Sequence, residues 1–217
     1  MEDASVKVAV FRGAGGEAFV AGTDIQQFTT YKSGEDGIAY ERRIDAAIEK
    51  LERVAKPCIA VTEGWVTGGG IVIAAACDIR VASPSAKFGV PIARTLGNCL
   101  SMSNISRLAA LIGPARTKEL IFTARLVEAP EALAAGLLTE VVEDHAALVT
   151  RAEELAKTVA GNAPLTLRAT KEAVRRLQKR LTREEGEDLI LMCYMSKDFR
   201  EGMEAFLNKR APQWKGE

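Results

Sequence analysis

The chain has 217 residues, with 29 Lys and Arg against 29 Asp and Glu, a formal net charge of zero at pH 7, and 47% hydrophobic residues. This length suits one or two domains with a sizeable core, and the balanced charge gives no indication of a nucleic-acid partner. The four cysteines form no CxxC pair, so we expect neither a disulfide framework nor a bound metal. The apolar runs are too short to span a membrane and the acidic first residues are not a signal peptide, which favours a cytoplasmic protein without a membrane partner.

Up to residue 82 the sequence predicts alternating strands and helices, which is typical of a layered α/β core. One predicted helix ends before Pro57, because the residue that precedes a proline is kept out of the helical region. The predicted elements are, in chain order, a strand at 6–11, a glycine-rich connection at 13–22, a short helix at 24–28, a surface loop at 34–37, a helix at 40–54, a buried strand at 58–61, a helix at 71–76 and a strand at 78–82.

Beyond Pro84 the predicted elements are mainly helical. Gly113-Pro114, Gly136 and residues 162–164 separate them, because glycine and proline interrupt regular structure. Helices are predicted at 108–112, 117–123, 129–135, 147–159 and 165–181, and one further strand at 138–142.

The glycine triplet Gly68-Gly69-Gly70 stands at the start of the predicted helix at 71–76. The first N–H groups of a helix have no acceptor within the helix, and the helix dipole adds partial positive charge there. Glycines leave these N–H groups uncovered by side chains. Such a place can bind an anion or a developing oxyanion, so we expect any chemistry of this protein to be organised around the triplet.

Two other motifs have simpler interpretations. Residues 13–18 match the dinucleotide fingerprint G-x-G-x-x-A, but the fingerprint requires a helix directly after it and residues 19–24 look like a turn-rich loop. His145 is the only histidine, and we interpret it as an exposed residue where a strand leads into a helix.

A run of basic residues occurs in the predicted helix at 165–181 and just after it. Glu172 and Glu184 are interleaved with the run, which favours a solvated helix face over a phosphate-binding patch. The basic residues are Lys171, Arg175, Arg176, Lys179, Arg180 and Arg183.

The most specific pattern is the combination of the block at 21–25, which reads AGTDI, with the glycine triplet at 68–70. Further blocks follow in a fixed order at 56–64, 77–82, 86–89, 107–108, 113–116, 129–132, 136–142 and 201–210. Through these blocks nearly the whole chain resembles the crotonase (enoyl-CoA hydratase/isomerase) family.

The resemblance implies a crotonase fold, in which a stacked β-sheet core is flanked by helices. It implies an α/β core at 1–140 and a helical C-terminal region at 141–217. In the family that region makes trimer contacts, so we expect a homotrimer or a dimer of trimers. Family members act on acyl-CoA thioesters, so coenzyme A enters as part of the substrate and we expect no permanently bound cofactor.

The resemblance also implies the site. Family members stabilise the enolate-like oxyanion of the thioester with two backbone N–H groups, which by position are those of Thr23 and Gly69. The expectation agrees with the helix N-terminus at Gly69, while at Thr23 the sequence shows only that Gly22 permits an unusual turn. The residues implied for substrate binding are Ala21, Asp24, Ile25, Trp65, Val66, Gly68, Pro91, Ile92 and Leu96.

The sequence departs from the family's hydratases at two positions. Hydratases carry a glutamate two residues after the triplet, where this chain has Val72, and another after the Phe-Gly-x-Pro turn, where it has Ile92. Valine and isoleucine can neither position water nor transfer a proton. Isomerisation, decarboxylation or another enolate reaction is therefore as compatible with the sequence as hydration, and a non-catalytic CoA-thioester-binding pseudoenzyme is the alternative.

Other side chains could transfer a proton. Asp24 adjoins Thr23, although we favour a structural role because aspartate is a preferred cap. Cys99 has no histidine nearby in the sequence to activate it, which disfavours a nucleophilic role. Polar residues where the family surrounds the reacting carbons are Arg94, Asn98, Cys99, Ser101, Ser103 and Asn104.

The family has a further strand and helix before the strand matched by 6–11, and this chain begins without them. A missing strand would leave an exposed sheet edge, which proteins usually protect. We therefore expect oligomer contacts or altered packing to cover that edge.

Overall fold

A fully parallel sheet contains the most buried strand. The computed structural model describes residues 3, 5–178 and 186–217, and within them four strands form this sheet in the order β1-β3-β5-β8. All residues of β3 are buried, as its continuous apolar run predicts, and Ile59 pairs with Ile79 of the neighbouring strand. The strands are β1 (Ala9–Arg12), β3 (Cys58–Thr62), β5 (Ile79–Ala82) and β8 (Glu140–Val141).

The strands of a second sheet were not predicted, because each has only two or three residues. This sheet has the order β2-β4-β6-β7, and its last pair is antiparallel. One strand lies in the predicted connection at 13–22 and directly follows the glycines of the fingerprint, which excludes the helix that dinucleotide binding requires. The strands are β2 (Ala18–Val20), β4 (Trp65–Thr67), β6 (Lys87–Gly89) and β7 (Val127–Glu128).

Helices surround the sheets. Helix α4 is broken at Gly113, which has a φ of 77° and directly precedes Pro114. The sequence predicts an interruption at these two residues. None of the helices in the described residues has the length and apolarity that a membrane crossing needs. The helices are α1 (Gly34–Glu52), α2 (Gly69–Ala76), α3 (Ile92–Thr95), α4 (Met102–Thr123), α5 (Ala129–Ala134), α6 (His145–Ala160), α7 (Pro164–Gln178), α8 (Glu187–Tyr194) and α9 (Lys197–Leu207), with a 3-10 helix at Ile25–Thr30.

The prediction of a surface loop at 34–37 is wrong, since these residues form the first turn of α1. Gly34 and Gly37 are buried because α1 packs closely against α8 there. A Cβ atom on Gly34 would lie 2.3 Å from Leu191 Cδ2, and one on Gly37 would lie 2.5 Å from Tyr194 Cγ. The glycines therefore serve helix packing rather than a turn.

The core confirms the predicted layered α/β architecture. Its largest cluster joins β3, β4 and β6 to α2 and α4. A second, aromatic cluster joins the 3-10 helix, α1, α8 and α9, where the ring centroids of Phe28 and Tyr40 are 5.0 Å apart and those of Tyr194 and Phe199 are 4.7 Å apart. Helices α6–α9 all follow residue 140, while the division into two domains at that residue stays a prediction.

Candidate active site

A cavity of about 750 Å³ lies between the two core clusters. The apolar face of α1 forms one wall, through residues such as Ile44 and Ile48, and the start of α2 forms another. Further lining comes from β1, from residues 19–28, from the chain between Pro91 and Asn104, and from Phe206 of α9. This size and mainly apolar lining are typical of a small-molecule site.

The glycine triplet forms the N-terminus of α2, as predicted. Gly68 caps the helix with φ 56° and ψ −118°, which a residue with a side chain rarely adopts. A Cβ on Gly70 would lie 2.0 Å from the carbonyl oxygen of Val20, so this glycine permits close contact with β2. Gly69 is the first helical residue, and the space around its missing Cβ is open. Its N–H therefore has no acceptor within the helix and borders the cavity.

The turn that contains Thr23 lies beside this helix start. The hydroxyl of Thr67 donates to the carbonyl oxygen of Ala21 at 2.8 Å, and a Cβ on Gly68 would lie 3.7 Å from Gly22 Cα. Gln27 Nε2 donates to Thr23 Oγ1 at 2.9 Å, which fixes the turn from the other side. Both residues proposed as N–H donors, Thr23 and Gly69, line the same cavity.

Other residues implied for substrate binding also line the cavity. Val72 and Ile92, at the positions where hydratases carry glutamates, are buried and belong to this wall, which is therefore apolar where a hydratase is acidic. The predicted binding residues that the structure brings to the cavity are Ala21, Ile25, Gly68, Pro91, Ile92 and Leu96.

Three predicted binding residues, Asp24, Trp65 and Val66, do not line this cavity, and their part in binding stays a prediction. Val66 is fully buried in the main core cluster. Trp65 is 47% exposed, and the ammonium nitrogen of Lys87 lies 5.8 Å from the centroid of its ring. Asp24 accepts a hydrogen bond from the N–H of Gln26 at 2.9 Å and so caps the 3-10 helix. The structural role favoured for Asp24 is confirmed.

Of the six polar residues considered as proton donors, only Asn98 and Asn104 line the cavity. Arg94 is exposed, and Ser101 donates to Asp45 Oδ1 at 2.7 Å. A hydrogen bond with Cys193, together with burial, raises the pKa of Cys99, which opposes thiolate formation. Ser103 lies on α4 outside the lining.

Sequence reasoning missed two titratable residues of the cavity, Tyr40 and Glu41, which both lie on α1. Burial raises the pKa of Tyr40, whereas a hydrogen bond with the Thr23 side chain lowers it. Glu41 is only 3% exposed and accepts a hydrogen bond from the Tyr194 hydroxyl at 2.8 Å. Burial raises the pKa of Glu41 to about 7. A signal existed, because Glu41 precedes Ile44 and Ile48 by three and seven residues and so shares their apolar face.

His145, the only histidine of the chain, lies outside the cavity lining. His145 is the first residue of α6, with 58% of its side chain exposed, and its Nδ1 lies 2.7 Å from Glu63 Oε2. Its exposure is confirmed, although it belongs to a helix and has a carboxylate partner. In the described part of the chain, no group of three or more His, Cys, Asp and Glu side chains is placed to hold a metal ion. The expected absence of a permanently bound cofactor stays a prediction.

The basic run is paired where the structure describes it. Lys171 Nζ lies 2.7 Å from Asp78 Oδ2, and Arg175 and Arg176 both bind Glu172 at 2.7 Å. This supports the interleaved-charge interpretation for the first half of the run. The other basic residues, Lys179, Arg180 and Arg183, lie outside the described residues.

Known proteins are similar to this chain in sequence and fold. The family model for enoyl-CoA hydratase/isomerase matches residues 1–217. Short-chain-enoyl-CoA hydratase of Clostridium acetobutylicum is 36% identical over 219 residues, which span 96% of this chain and 80% of that protein.

Solved structures agree with this match. An enoyl-CoA hydratase/carnithine racemase from Magnetospirillum magneticum superposes with a TM-score of 0.78 at 34% identity, covering 100% of this chain and 81% of that one. Methylmalonyl-CoA decarboxylase in complex with 2-nitronate-propionyl-CoA superposes with a TM-score of 0.88 at 30% identity, covering 98% and 82%. With the glycine-led helix and the cavity beside it, these matches place the chain in the enoyl-CoA hydratase/isomerase family, with a crotonase fold.

Proposed function

We propose that the protein is an acyl-CoA enzyme that stabilises a thioester enolate through the backbone N–H groups of Thr23 and Gly69. The observation that carries this proposal is the meeting of the two turns at one wall of a largely apolar cavity. Two fixed donors aimed at a thioester oxygen favour the charge-separated enolate over the neutral thioester, and they need no reorganisation during the reaction.

The apolar side chains of Val72 and Ile92 argue against hydration by two carboxylates at those positions. Decarboxylation of a malonyl-type thioester is the reaction that needs least from these positions, because loss of CO₂ leaves its electron pair as the enolate without any base. A methylmalonyl-CoA decarboxylase is among the proteins that share this fold, which is compatible with this candidate. Isomerisation of an enoyl-CoA is the second candidate, since it passes through the same enolate.

A panel of thioesters tests the proposal. Purified protein is incubated separately with crotonyl-CoA, a 3-enoyl-CoA, malonyl-CoA and methylmalonyl-CoA, and the products are followed by mass spectrometry. We expect turnover of a malonyl-type or 3-enoyl thioester. Calorimetric binding without turnover of any thioester would instead support the alternative of a non-catalytic CoA-thioester-binding protein, and absence of binding would contradict both.

We also propose that the protein acts in the cytoplasm as a homotrimer or a dimer of trimers. Exposed apolar side chains on the C-terminal helices, including Met192 of α8 and Phe206 and Leu207 of α9, support an interface between copies. The described cysteines are free, which suits a reducing compartment. Sedimentation equilibrium tests the assembly, and a monomeric mass would contradict it.

A further inference from the structure

The proposed chemistry needs a group that moves a proton, and one carboxyl group borders the cavity in the described part of the chain. That group belongs to Glu41, on the face of α1 that also presents Ile44 to the cavity. Val72 and Ile92 lie on the same lining and cannot exchange a proton. Glu41 is therefore the candidate for the proton transfer that Val72 and Ile92 cannot perform.

Burying the Glu41 carboxyl group costs free energy of folding, and packing of the core does not require a carboxyl group there. A buried carboxylate is normally paired with a cation, since burial strongly disfavours an isolated charge. Among the described residues no Lys, Arg or His side chain forms an ion pair with Glu41, whereas the half-buried Glu52 nearby on α1 is bound by Arg107 at 2.5 and 2.9 Å. Unpaired, buried carboxyl groups that border a cleft are typical of functional sites.

Two hydrogen bonds fix the carboxyl group of Glu41 in place, and a third fixes Tyr194. The Tyr194 hydroxyl of α8 donates to Glu41 Oε1 at 2.8 Å, and the backbone of Ser101 provides a further hydrogen bond. Asn98 Nδ2 in turn donates to the Tyr194 hydroxyl oxygen at 3.3 Å. Helices from both ends of the chain thus hold one carboxylate against the cavity.

Asn98 gives a second, independent indication. It lines the cavity beside this group, and its Oδ1 atom is buried with no hydrogen-bond partner in the described structure. A buried acceptor without a donor is costly unless a ligand or a water molecule satisfies it. Glu41 and Asn98 together therefore form a polar patch in a cavity lining that is otherwise mostly apolar.

The electrostatics suit proton transfer near neutral pH. Burial raises the pKa of Glu41 to about 7, while the hydrogen bond from Tyr194 lowers it and the neighbouring Asp45 raises it. The other titratable groups that face Glu41 are Tyr31, Tyr40, Cys99 and Tyr194, and burial or neighbouring groups raise the pKa of each. Near neutral pH these four groups are uncharged, so Glu41 can act both as a base and, once protonated, as an acid.

We propose that Glu41 is the catalytic acid–base residue of this enzyme, with Tyr194 and Asn98 as its positioning residues. The proposal rests on the enolate chemistry proposed above. The Glu41 carboxylate takes a proton from the carbon next to the thioester carbonyl. The electron pair of the broken C–H bond forms the C=C bond of the enolate. The enolate oxygen accepts hydrogen bonds from the N–H groups of Thr23 and Gly69. The protonated Glu41 returns a proton to carbon in the reverse or product-forming step.

Exchange of α-protons in D₂O tests this step without knowledge of the natural substrate. Butyryl-CoA is incubated with the wild-type protein, with Glu41→Gln and with Glu35→Gln, and deuterium uptake is followed by mass spectrometry. Glu35 is exposed in the first turn of the same helix and serves as the matched control. We expect Glu41→Gln to slow exchange by at least about 100-fold while butyryl-CoA binding, measured by calorimetry, is retained. Glu35→Gln should exchange like the wild type.

The outcomes separate the two proposals. Equal exchange by Glu41→Gln and wild type overturns the role of Glu41 and leaves the enolate chemistry intact. A wild-type protein that binds butyryl-CoA but neither exchanges its α-protons nor turns over any thioester overturns both.

The pH profile provides a second test that does not depend on Glu41→Gln folding. Wild-type exchange should rise through an apparent pKa near 7. In Tyr194→Phe the rise should move to higher pH, because the hydroxyl that stabilises the carboxylate is gone. A profile that is flat between about pH 5 and 9, or identical in the two proteins, contradicts the assignment.

Discussion

The backbone and side-chain parts of the cavity lining are built in different ways. In the backbone part, the N–H groups of Thr23 and Gly69 lie in two turns that glycines allow to meet. In the side-chain part, Glu41 is held by Tyr194, which is 153 residues away along the chain. The first part depends on local backbone conformation and the second on the packing of distant helices. Substitutions should therefore disturb the two parts separately.

The largest effect should come from removing one backbone donor. Gly69→Pro removes the N–H, and proline is well tolerated at the first residue of a helix. We expect turnover or α-proton exchange to fall by about 10²–10³-fold. Gly69→Ala is the matched control, because it keeps the N–H and its Cβ meets open space. Equal activity in the two variants would exclude this N–H as an oxyanion donor.

The side-chain part should be most sensitive to packing between α1 and α8. Gly37→Ala places a Cβ 2.5 Å from Tyr194 Cγ, so the ring that holds Glu41 must move. We expect a loss of about 1–3 kcal/mol in the free energy of unfolding, measured by urea denaturation. Gly161→Ala is the control, since its Cβ would lie 3.4 Å from the Thr158 carbonyl oxygen in ordinary contact. Similar stability of both variants would show that the α1–α8 contact is not tight.

Glu41→Gln should raise the free energy of unfolding even though it slows α-proton exchange. The native pKa of Glu41, about 7, exceeds its ordinary 4.5, so the unfolded chain ionises first as the pH rises. The wild type therefore loses stability between about pH 4.5 and pH 7, and Glu41→Gln does not. We expect the Tm of Glu41→Gln to exceed that of the wild type by a few degrees at about pH 8, and by less at about pH 5. The opposite pH trend would contradict a raised pKa.

The smallest effect should come from the cap beside Thr23. Asp24→Ala removes the acceptor of the Gln26 N–H and should cost about 1 kcal/mol in unfolding free energy, whereas Asp24→Asn keeps an acceptor and should cost less. Thermal denaturation of both variants measures the difference. A role in binding rather than capping would instead weaken butyryl-CoA binding in both variants with no change in Tm.

This contrast also explains which parts could be predicted from the sequence. The helix at Gly69 follows from local rules, because the triplet and the apolar run after it lie together in the chain. The strand β3 follows from a continuous apolar run. The strands β2, β4, β6 and β7 were missed because two or three residues carry no periodicity, and only pairing with distant strands defines them.

The contacts of the side-chain part could not be predicted because the residues that hold Glu41 are distant from it in sequence. The glycines at 34 and 37 suggest a loop until α8 is seen to lie against them. The position of Glu41 on the apolar face of a predicted helix indicates burial, but it indicates neither a partner nor a cavity. Only the fold brings Tyr194 and Asn98 to it and shows that this face borders a cavity.

The central claim is that the N–H groups of Thr23 and Gly69 polarise a bound thioester carbonyl. Infrared difference spectroscopy of bound butyryl-CoA, labelled with ¹³C at the thioester carbonyl, measures this polarisation directly. We predict that the carbonyl stretch shifts to lower frequency in the wild type and in Gly69→Ala, and returns toward its solution frequency in Gly69→Pro. A bound thioester whose carbonyl stretch equals that in water, or shifts equally in all three proteins, would contradict the account.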